Sequence, residues 1–191
     1  NNLAIRGVMS RFPQSNLVTS VIEHSSVLNP ASLFTNKLAK VNDNGLVNMP
    51  DLENKIDDMT VLVSVMYVNN EIGTVEPIAD IAKLLDSIRS ERIKGGNKLP
   101  LYLHVDACQA PSYFDLHVDK LGVDLMTLNG GKIYGPKQSG VLYVKTGTQI
   151  SPQILGGGQE NGYRSGTENV ANIIGFTKSL ELSQKSRQSE S

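Results

Sequence analysis

Three observations predict an α/β domain with a mainly parallel sheet flanked by helices. The run at residues 60–68 is apolar almost throughout instead of alternating, the pattern of a strand buried on both faces. Similar short runs alternate along the chain with segments whose apolar residues recur at helical spacing. Polar, chemistry-capable residues follow the runs: His24, Asn70, Asp106, Gln109 and Lys132 each stand just past a predicted strand. Ligands of open parallel sheets bind outside the carboxyl ends of the strands, so these five residues would share one rim.

Taken in order, residues 3–9 read as the remains of a helix, and residues 17–22, rich in β-branched side chains, as the first strand. Ala31, Phe34, Leu38 and Val41 fall at helical spacing and predict a helix over about residues 29–40. Pro30 fits as its first residue, where the missing N–H costs nothing. Asn42-Asp43-Asn44-Gly45 is a turn, and residues 49–56 form a short helix with Pro50 near its start. After the strand at 60–68, Pro77 opens a helix whose apolar stripe is Ile78, Ile81, Ala82, Leu85 and Ile88. Residues 101–105, 125–128 and 141–144 are further strands. A glycine-rich loop from Gly156 to Thr167 leads into a last helix marked by Val170, Ile173, Ile174, Thr177 and Leu180. The domain is thereby placed at residues 1–182, with a polar tail at 183–191 that is expected to fray.

Composition narrows the function classes. With 39% hydrophobic and 19% charged residues, the 191-residue chain has the apolar content of a folded domain. A net charge of −1, with both signs interspersed, offers no basic field for nucleic acid. The apolar runs are of strand length, short of the roughly 20 residues that a membrane span needs. The one cysteine, Cys108, excludes an internal disulfide and favours a reducing compartment, so the cytoplasm is the expected location. No pair of histidines or cysteines has metal-ligand spacing, and no metal site is expected. Gly156-Gly157-Gly158 lacks the lysine and Ser/Thr of a nucleotide-binding P-loop. The chain begins Asn1-Asn2 without a methionine and closes on a polar stretch, so both ends read as cuts within a longer protein.

The chemistry concentrates between Leu99 and Gly140. An acid, Asp106, ends one strand, and a lysine, Lys132, sits after the next in Asn129-Gly130-Gly131-Lys132-Ile133-Tyr134-Gly135-Pro136-Lys137. Glycines let a loop backbone approach a ligand closely. A lysine desolvated in a pocket can form a Schiff base with a carbonyl. Pyridoxal phosphate needs such a lysine and an acid partner for its ring nitrogen. By spacing alone, Asp106 is equally a turn or cap aspartate. His24 can lie over a cofactor ring and relay protons, though taken singly it is a polar strand-end residue. Asn70 and Gln109 can hydrogen-bond a ring hydroxyl or a carboxylate. Thr167, with the helix behind it, can hold a phosphate or simply cap that helix. Cys108 reads as a packing residue, since nothing beside it in sequence would activate a thiolate. His104 shares a strand face with Asp106 and reads as a packed histidine.

In this order the motifs resemble a cysteine desulfurase, a pyridoxal-phosphate enzyme of the class V aminotransferase fold group. The resemblance is carried by Asn1-Asn2-Leu3-Ala4-Ile5, Glu23-His24, Val68-Asn69-Asn70-Glu71-Ile72-Gly73, His104-Val105-Asp106-Ala107-Cys108-Gln109 and Val123-Asp124-Leu125-Met126. It continues through Lys132-Ile133-Tyr134-Gly135-Pro136-Lys137 and from Gly156-Gly157-Gly158-Gln159-Glu160 to Arg164-Ser165-Gly166-Thr167. It implies the cofactor-binding large domain of that fold, truncated. Lys132 would carry the cofactor, Asp106 would pair with its pyridinium nitrogen, and His24 would stack on the ring and move protons. Gln109 would bond the ring hydroxyl, Asn70 would face that hydroxyl and the substrate carboxylate, and Asn129 would donate to the phosphate. Thr167 would reach the phosphate of the cofactor in the partner subunit of a homodimer. The implied reaction converts L-cysteine to L-alanine and passes the sulfur as a persulfide to an acceptor or iron–sulfur scaffold protein, for iron–sulfur cluster assembly or tRNA thiolation.

Three departures qualify the resemblance. The family usually has a serine and a histidine, both facing the phosphate, at the positions of Asn129 and Gly131, and glycine cannot replace an imidazole. The start of the family's first phosphate-binding motif lies ahead of Asn1. The C-terminal domain with the persulfide-forming cysteine lies outside the chain, so the chain alone is expected to be inactive. The alternative readings are a selenocysteine lyase or aminotransferase of the same fold group, and a non-catalytic interaction module in which Gly131 marks lost chemistry.

Overall fold

The computed structural model describes residues 1–190. Among these, β1 (Asn16–Ser20), β2 (Asn36–Ala39), β3 (Thr60–Met66), β4 (Tyr102–Asp106), β5 (Leu125–Asn129) and β6 (Gly140–Val144) form one sheet in the order β2-β1-β3-β4-β5-β6. The first five strands pair in parallel, and β6 closes the edge antiparallel to β5. The helices are α1 (Asn2–Arg11), α2 (Ser25–Ala31), α3 (Met49–Lys55), α4 (Ile78–Lys94), α5 (Val118–Leu121) and α6 (Val170–Glu190). The mainly parallel α/β architecture is the one the sequence predicts.

All seven residues of β3 are buried, because helices cover both faces of the sheet. Leu62 packs in a layer with Ile5, Val8 and Met9 of α1 and Val27 and Ala31 of α2. Val63 and Val65 point the other way, into a core with Leu103 and Val105 of β4, Met126 and Leu128 of β5, Leu52 of α3 and Ile81 and Leu85 of α4. The period-2 alternation of strands thus puts Ser64, His104, Asp106 and Thr127 together on the face toward α1 and α2. Pro77 precedes α4 as predicted, and Ile78, Ile81, Ala82 and Leu85 are its buried stripe. Truncating Leu85 to Ala would cost about 2–5 kcal/mol by removing contacts and leaving a cavity.

Two expectations are corrected. The helix expected over residues 29–40 is instead the end of α2, a turn and an edge strand. Helix α2 starts earlier, at Ser25, where the His24 side chain caps it. Pro30 is its sixth residue; it cannot donate to the Ser26 carbonyl, and the helix stops at Ala31. Phe34 N–H turns back onto Ala31 O at 3.0 Å, and residues 36–39 then pair with β1. The stretch from Ser183, expected to fray, continues α6 to Glu190. Ser183 is buried, and Gln184 Nε2 donates to the carbonyls of Pro111 and Phe114. Residue 191 lies outside the described residues.

Candidate functional site

The parallel topology sends the ends of β1, β3, β4 and β5 to one rim of the sheet. His24 follows β1, Asn70 follows β3, Asp106 ends β4 with Gln109 three residues on, and Lys132 follows β5. Asp106 is buried; Gln109 is half-buried; His24, Asn70, Asn129, Lys132 and Thr167 are exposed.

Asp106 sits at the centre of this arrangement. Its Oδ1 accepts from Cys108 N at 3.0 Å and its Oδ2 from Asn1 Nδ2 at 2.7 Å. Burial works to raise the carboxyl, but the hydrogen bonds from Cys108 and Asn1 outweigh it and hold the acid below the usual carboxylate range. Asp106 is therefore an anion in a largely dry setting. The same Asn1 nitrogen reaches Ser26 Oγ at 2.7 Å, and Ser26 Oγ lies 2.9 Å from His24 Nδ1. Asp106 and His24 are thus linked through two side chains that sequence reasoning did not place in the site. An asparagine ahead of an apolar helix ordinarily caps it. Asn1 precedes α1 but makes no side-chain cap bond: its Nδ2 serves Asp106 and Ser26, and its Oδ1 has no hydrogen-bond partner among the described residues.

His24 Nδ1 also accepts from Ser26 N at 3.1 Å. The neutral ring therefore carries its proton on Nε2. Asn70 is presented by a loop that its neighbour builds: the buried Asn69 accepts from Glu71 N at 2.8 Å and Ile72 N at 3.0 Å, and donates to Ile22 O at 3.1 Å.

Lys132 ends a 3-10 turn, Gly130–Lys132, that begins directly after β5. Asn129 caps this turn, its Oδ1 accepting from Gly131 N at 2.8 Å. Gly130 is required there, since a Cβ would fall 2.1 Å from Ser139 Oγ and 3.0 Å from Phe176 of α6. Tyr134, two residues after the lysine, has φ 58°, a left-handed conformation costing a tyrosine about 1–2 kcal/mol, and is fully exposed. The lysine loop is therefore shaped by packing on its α6 side. A Schiff-base lysine needs a desolvating pocket, whereas Lys132 is exposed on the rim of this structure.

Thr167 lies on the loop ahead of α6 and is not its cap. Asn169 fills that role, accepting from Asn172 N at 3.2 Å. The loop is braced by Gln159, which accepts from Gly166 N at 2.9 Å, and among the described residues no hydrogen bond joins Thr167 to the rim.

The remaining candidates take packing roles, as expected. His104 is fully buried between Ser64 Oγ at 2.8 Å and Thr127 Oγ1 at 2.9 Å, and burial pushes its imidazole well below the ordinary range. Burial and the adjacent Asp106 charge push the Cys108 thiol far up, which leaves it a poor nucleophile. No group of three or more metal-ligating side chains occurs among the described residues, and no described helix is long and apolar enough to cross a membrane. Two clefts, one beside Asp57, Glu91 and Arg92 and one beside Arg89, Lys98 and Tyr102, lie at the opposite, amino end of the strands.

Known proteins share this architecture. A protein called cysteine desulfurase IscS from Dictyoglomus turgidum is 41% identical over 190 residues, covering 95% of this chain and 45% of its own length. Cysteine desulfurase IscS 1 from Archaeoglobus fulgidus is 40% identical, covering 97% of this chain and 47% of its own. A solved NifS-like protein superimposes with a TM-score of 0.89 at 32% identity, over 98% of this chain and 51% of its own. A structure titled SspA in complex with cysteine gives 0.82 at 35% identity, over 94% and 51% of the two chains. The chain thus spans about half the length of the relatives it matches. Its residues 1–191 match the aminotransferase class-V family without a break, and it is to that family that the chain belongs.

Proposed function

We propose that this rim holds pyridoxal 5'-phosphate and that the full-length protein is a cysteine desulfurase, converting L-cysteine to L-alanine and passing the sulfur on as a persulfide. The observation that carries the reading is Asp106, a buried carboxylate kept ionised at the end of a central strand, on the rim where Lys132 stands. A turn aspartate needs no such burial, and a fixed anion there suits a cationic ring nitrogen. The rim residues fit the cofactor: an acid for the ring nitrogen, an amine to hold its aldehyde carbon, an imidazole for its face and amides for its oxygens.

When bound, the cofactor supplies an electron sink for charge that develops at the substrate's α-carbon. Asp106 holds the ring nitrogen's proton in place by charge. Lys132 Nζ fastens the cofactor to the loop after β5. With Nδ1 committed to Ser26, His24 would offer Nε2 at the rim to give and take back a proton. Gln109 and Asn70 offer amides to the ring hydroxyl and the substrate carboxylate. Asn129 spends Oδ1 on Gly131 N, which leaves its Nδ2 to donate to the phosphate.

Thr167 completes a phosphate site across a homodimer in this reading. The large apolar side chains exposed in the neighbouring sequence, among them Leu155, Val170 and Ile174, support a partner over this segment. Such a partner, together with the rest of the protein, would cover Lys132 and desolvate it. The names of the relatives support the substrate and the product's route: cysteine bound in the SspA structure, and IscS for the sequence relatives. A sulfur-acceptor or iron–sulfur scaffold protein then receives the persulfide in the cytoplasm, without a direct nucleic-acid or membrane partner.

The test is turnover. The full-length protein with pyridoxal 5'-phosphate should form alanine from L-cysteine, and sulfide when a thiol reductant is present, whereas residues 1–191 alone should form neither. Transamination of L-cysteine without sulfur release would replace the reading with an aminotransferase.

A further inference from the structure

Glu23 is an acid that the rim chemistry above does not use. It directly precedes His24, is 5% exposed, and lies just past the end of β1. Its Oε1 accepts from Ser20 Oγ at 2.6 Å and from Met66 N at 2.9 Å. Met66 is the last residue of β3, and the paired register of β1 with β3 has already ended at Thr19 and Ser64. The carboxyl therefore takes the place of a strand carbonyl that β1 no longer supplies, folding back from the turn to satisfy the end of β3.

The other oxygen, Oε2, is buried and has no hydrogen-bond partner among the described residues. A bare carboxylate oxygen in that position is costly, and the neutral acid is the form that fits. Burial pushes the Glu23 carboxyl up to about 8 against the hydrogen bonds from Ser20 and Met66, and the charges of Asp106 and Glu76 add to the rise. A second tie acts on the same turn, where Asn69 Nδ2 donates to Ile22 O at 3.1 Å. His24 leaves this turn to cap α2.

We propose that Glu23 is a positioning residue for His24: by fastening the turn after β1 to the end of β3, its carboxyl fixes the backbone from which the His24 imidazole is presented to the rim. What His24 does there rests on the cofactor reading above; the anchoring does not.

Three variants of the full-length protein separate the possibilities. Glu23→Gln keeps a neutral side chain of the same length with an acceptor for Met66 N. Glu23→Ala removes it, and Ser20→Ala removes one of the two hydrogen bonds at lower cost to folding. The first readout, on protein without cofactor, is amide hydrogen exchange of the peptide spanning residues 21–28. Exchange should rise about tenfold in Glu23→Ala, less in Ser20→Ala, and stay within about twofold of wild type in Glu23→Gln. The second is the dissociation constant for pyridoxal 5'-phosphate, read from its visible absorbance on binding. Glu23→Ala should weaken binding about tenfold in the wild-type background and less than twofold in His24→Ala, because the two act through one imidazole. If Glu23→Ala does not fold, Ser20→Ala is carried through the same cycle. Unchanged exchange in the alanine variants, equal weakening in the His24→Ala background, or Glu23→Gln behaving like Glu23→Ala would overturn the proposal. A wild-type protein that binds no pyridoxal phosphate counts against the cofactor reading alone, and the exchange measurement then decides this one.

Discussion

Asn1 Nδ2 donates to Asp106 Oδ2 at 2.7 Å, the one side-chain amide on that buried carboxylate oxygen among the described residues. Helix α1 thereby supports the acid at the end of β4 from across the sheet face. Hydrogen bonds to a charged acceptor contribute about 1.5–3 kcal/mol. In the full-length protein Asn1→Ala should lose stability on that order, seen as a lower denaturant midpoint in protein without cofactor. Because Asp106 is held below the usual carboxylate range, its support is present above an ordinary aspartate pKa of about 4 and lost as pH falls through the lower folded value. The gap between wild type and Asn1→Ala should therefore close in acid.

His104 carries the opposite chemistry on the same strand face. Burial keeps it neutral between the hydroxyls of Ser64 and Thr127. A depressed folded pKa means that the unfolded chain takes up the proton first as pH falls. Stability from the neutral ring is full above about pH 6.5 and declines as pH drops toward the folded value. His104→Phe should cost about 1–3 kcal/mol at pH 8, where the Ser64 and Thr127 hydroxyls lose a partner. The loss should shrink by pH 5, since phenylalanine has no proton to gain. Urea midpoints of both proteins across that range check the sign.

Adjacent glycines in the lysine loop should respond unequally. At Gly130 a Cβ meets Ser139 Oγ at 2.1 Å, and that hydroxyl is held by Pro136 O at 2.6 Å. Gly130→Ala should cost about 1–3 kcal/mol from overpacking and weaken pyridoxal phosphate binding through Lys132. At Gly131 a Cβ meets only Asn129 Oδ1 at 3.2 Å and Lys137 Cδ at 3.7 Å. Gly131→His should cost less than Gly130→Ala, since only the Asn129 side chain has to give way, and should tighten binding by adding an imidazole beside Lys132. Thermal midpoints and a cofactor titration of both variants decide this.

What the sequence revealed and what it hid follow one division. Buried parallel strands leave continuous apolar runs, so β3 to β5 and the helices packed on them were legible, and with them the rim. Edge strand β2 was not. It pairs only with β1, its Leu38 is 45% exposed, and its apolar residues happen to continue the spacing of α2. The residues ending predicted strands were legible as candidates, whereas the side chains that join them were hidden. Neither Asn1 nor Ser26 is among the residues that end predicted strands, and only their approach across the sheet face makes them links between His24 and Asp106. Asn169 displaces Thr167 as the cap of α6 because the helix starts at Val170, two residues later than a Thr167 cap would place it.

In the proposed site, Lys132 and Asp106 together hold one cationic ring cofactor through an amine and a carboxylate. The direct measurement is the visible absorbance of the full-length protein after addition of pyridoxal 5'-phosphate and removal of the excess. A bound band is expected in the wild type, with its loss in Lys132→Ala and a weaker, shifted band in Asp106→Asn. A wild-type protein without a band, or a Lys132→Ala protein whose band is unchanged, would contradict it.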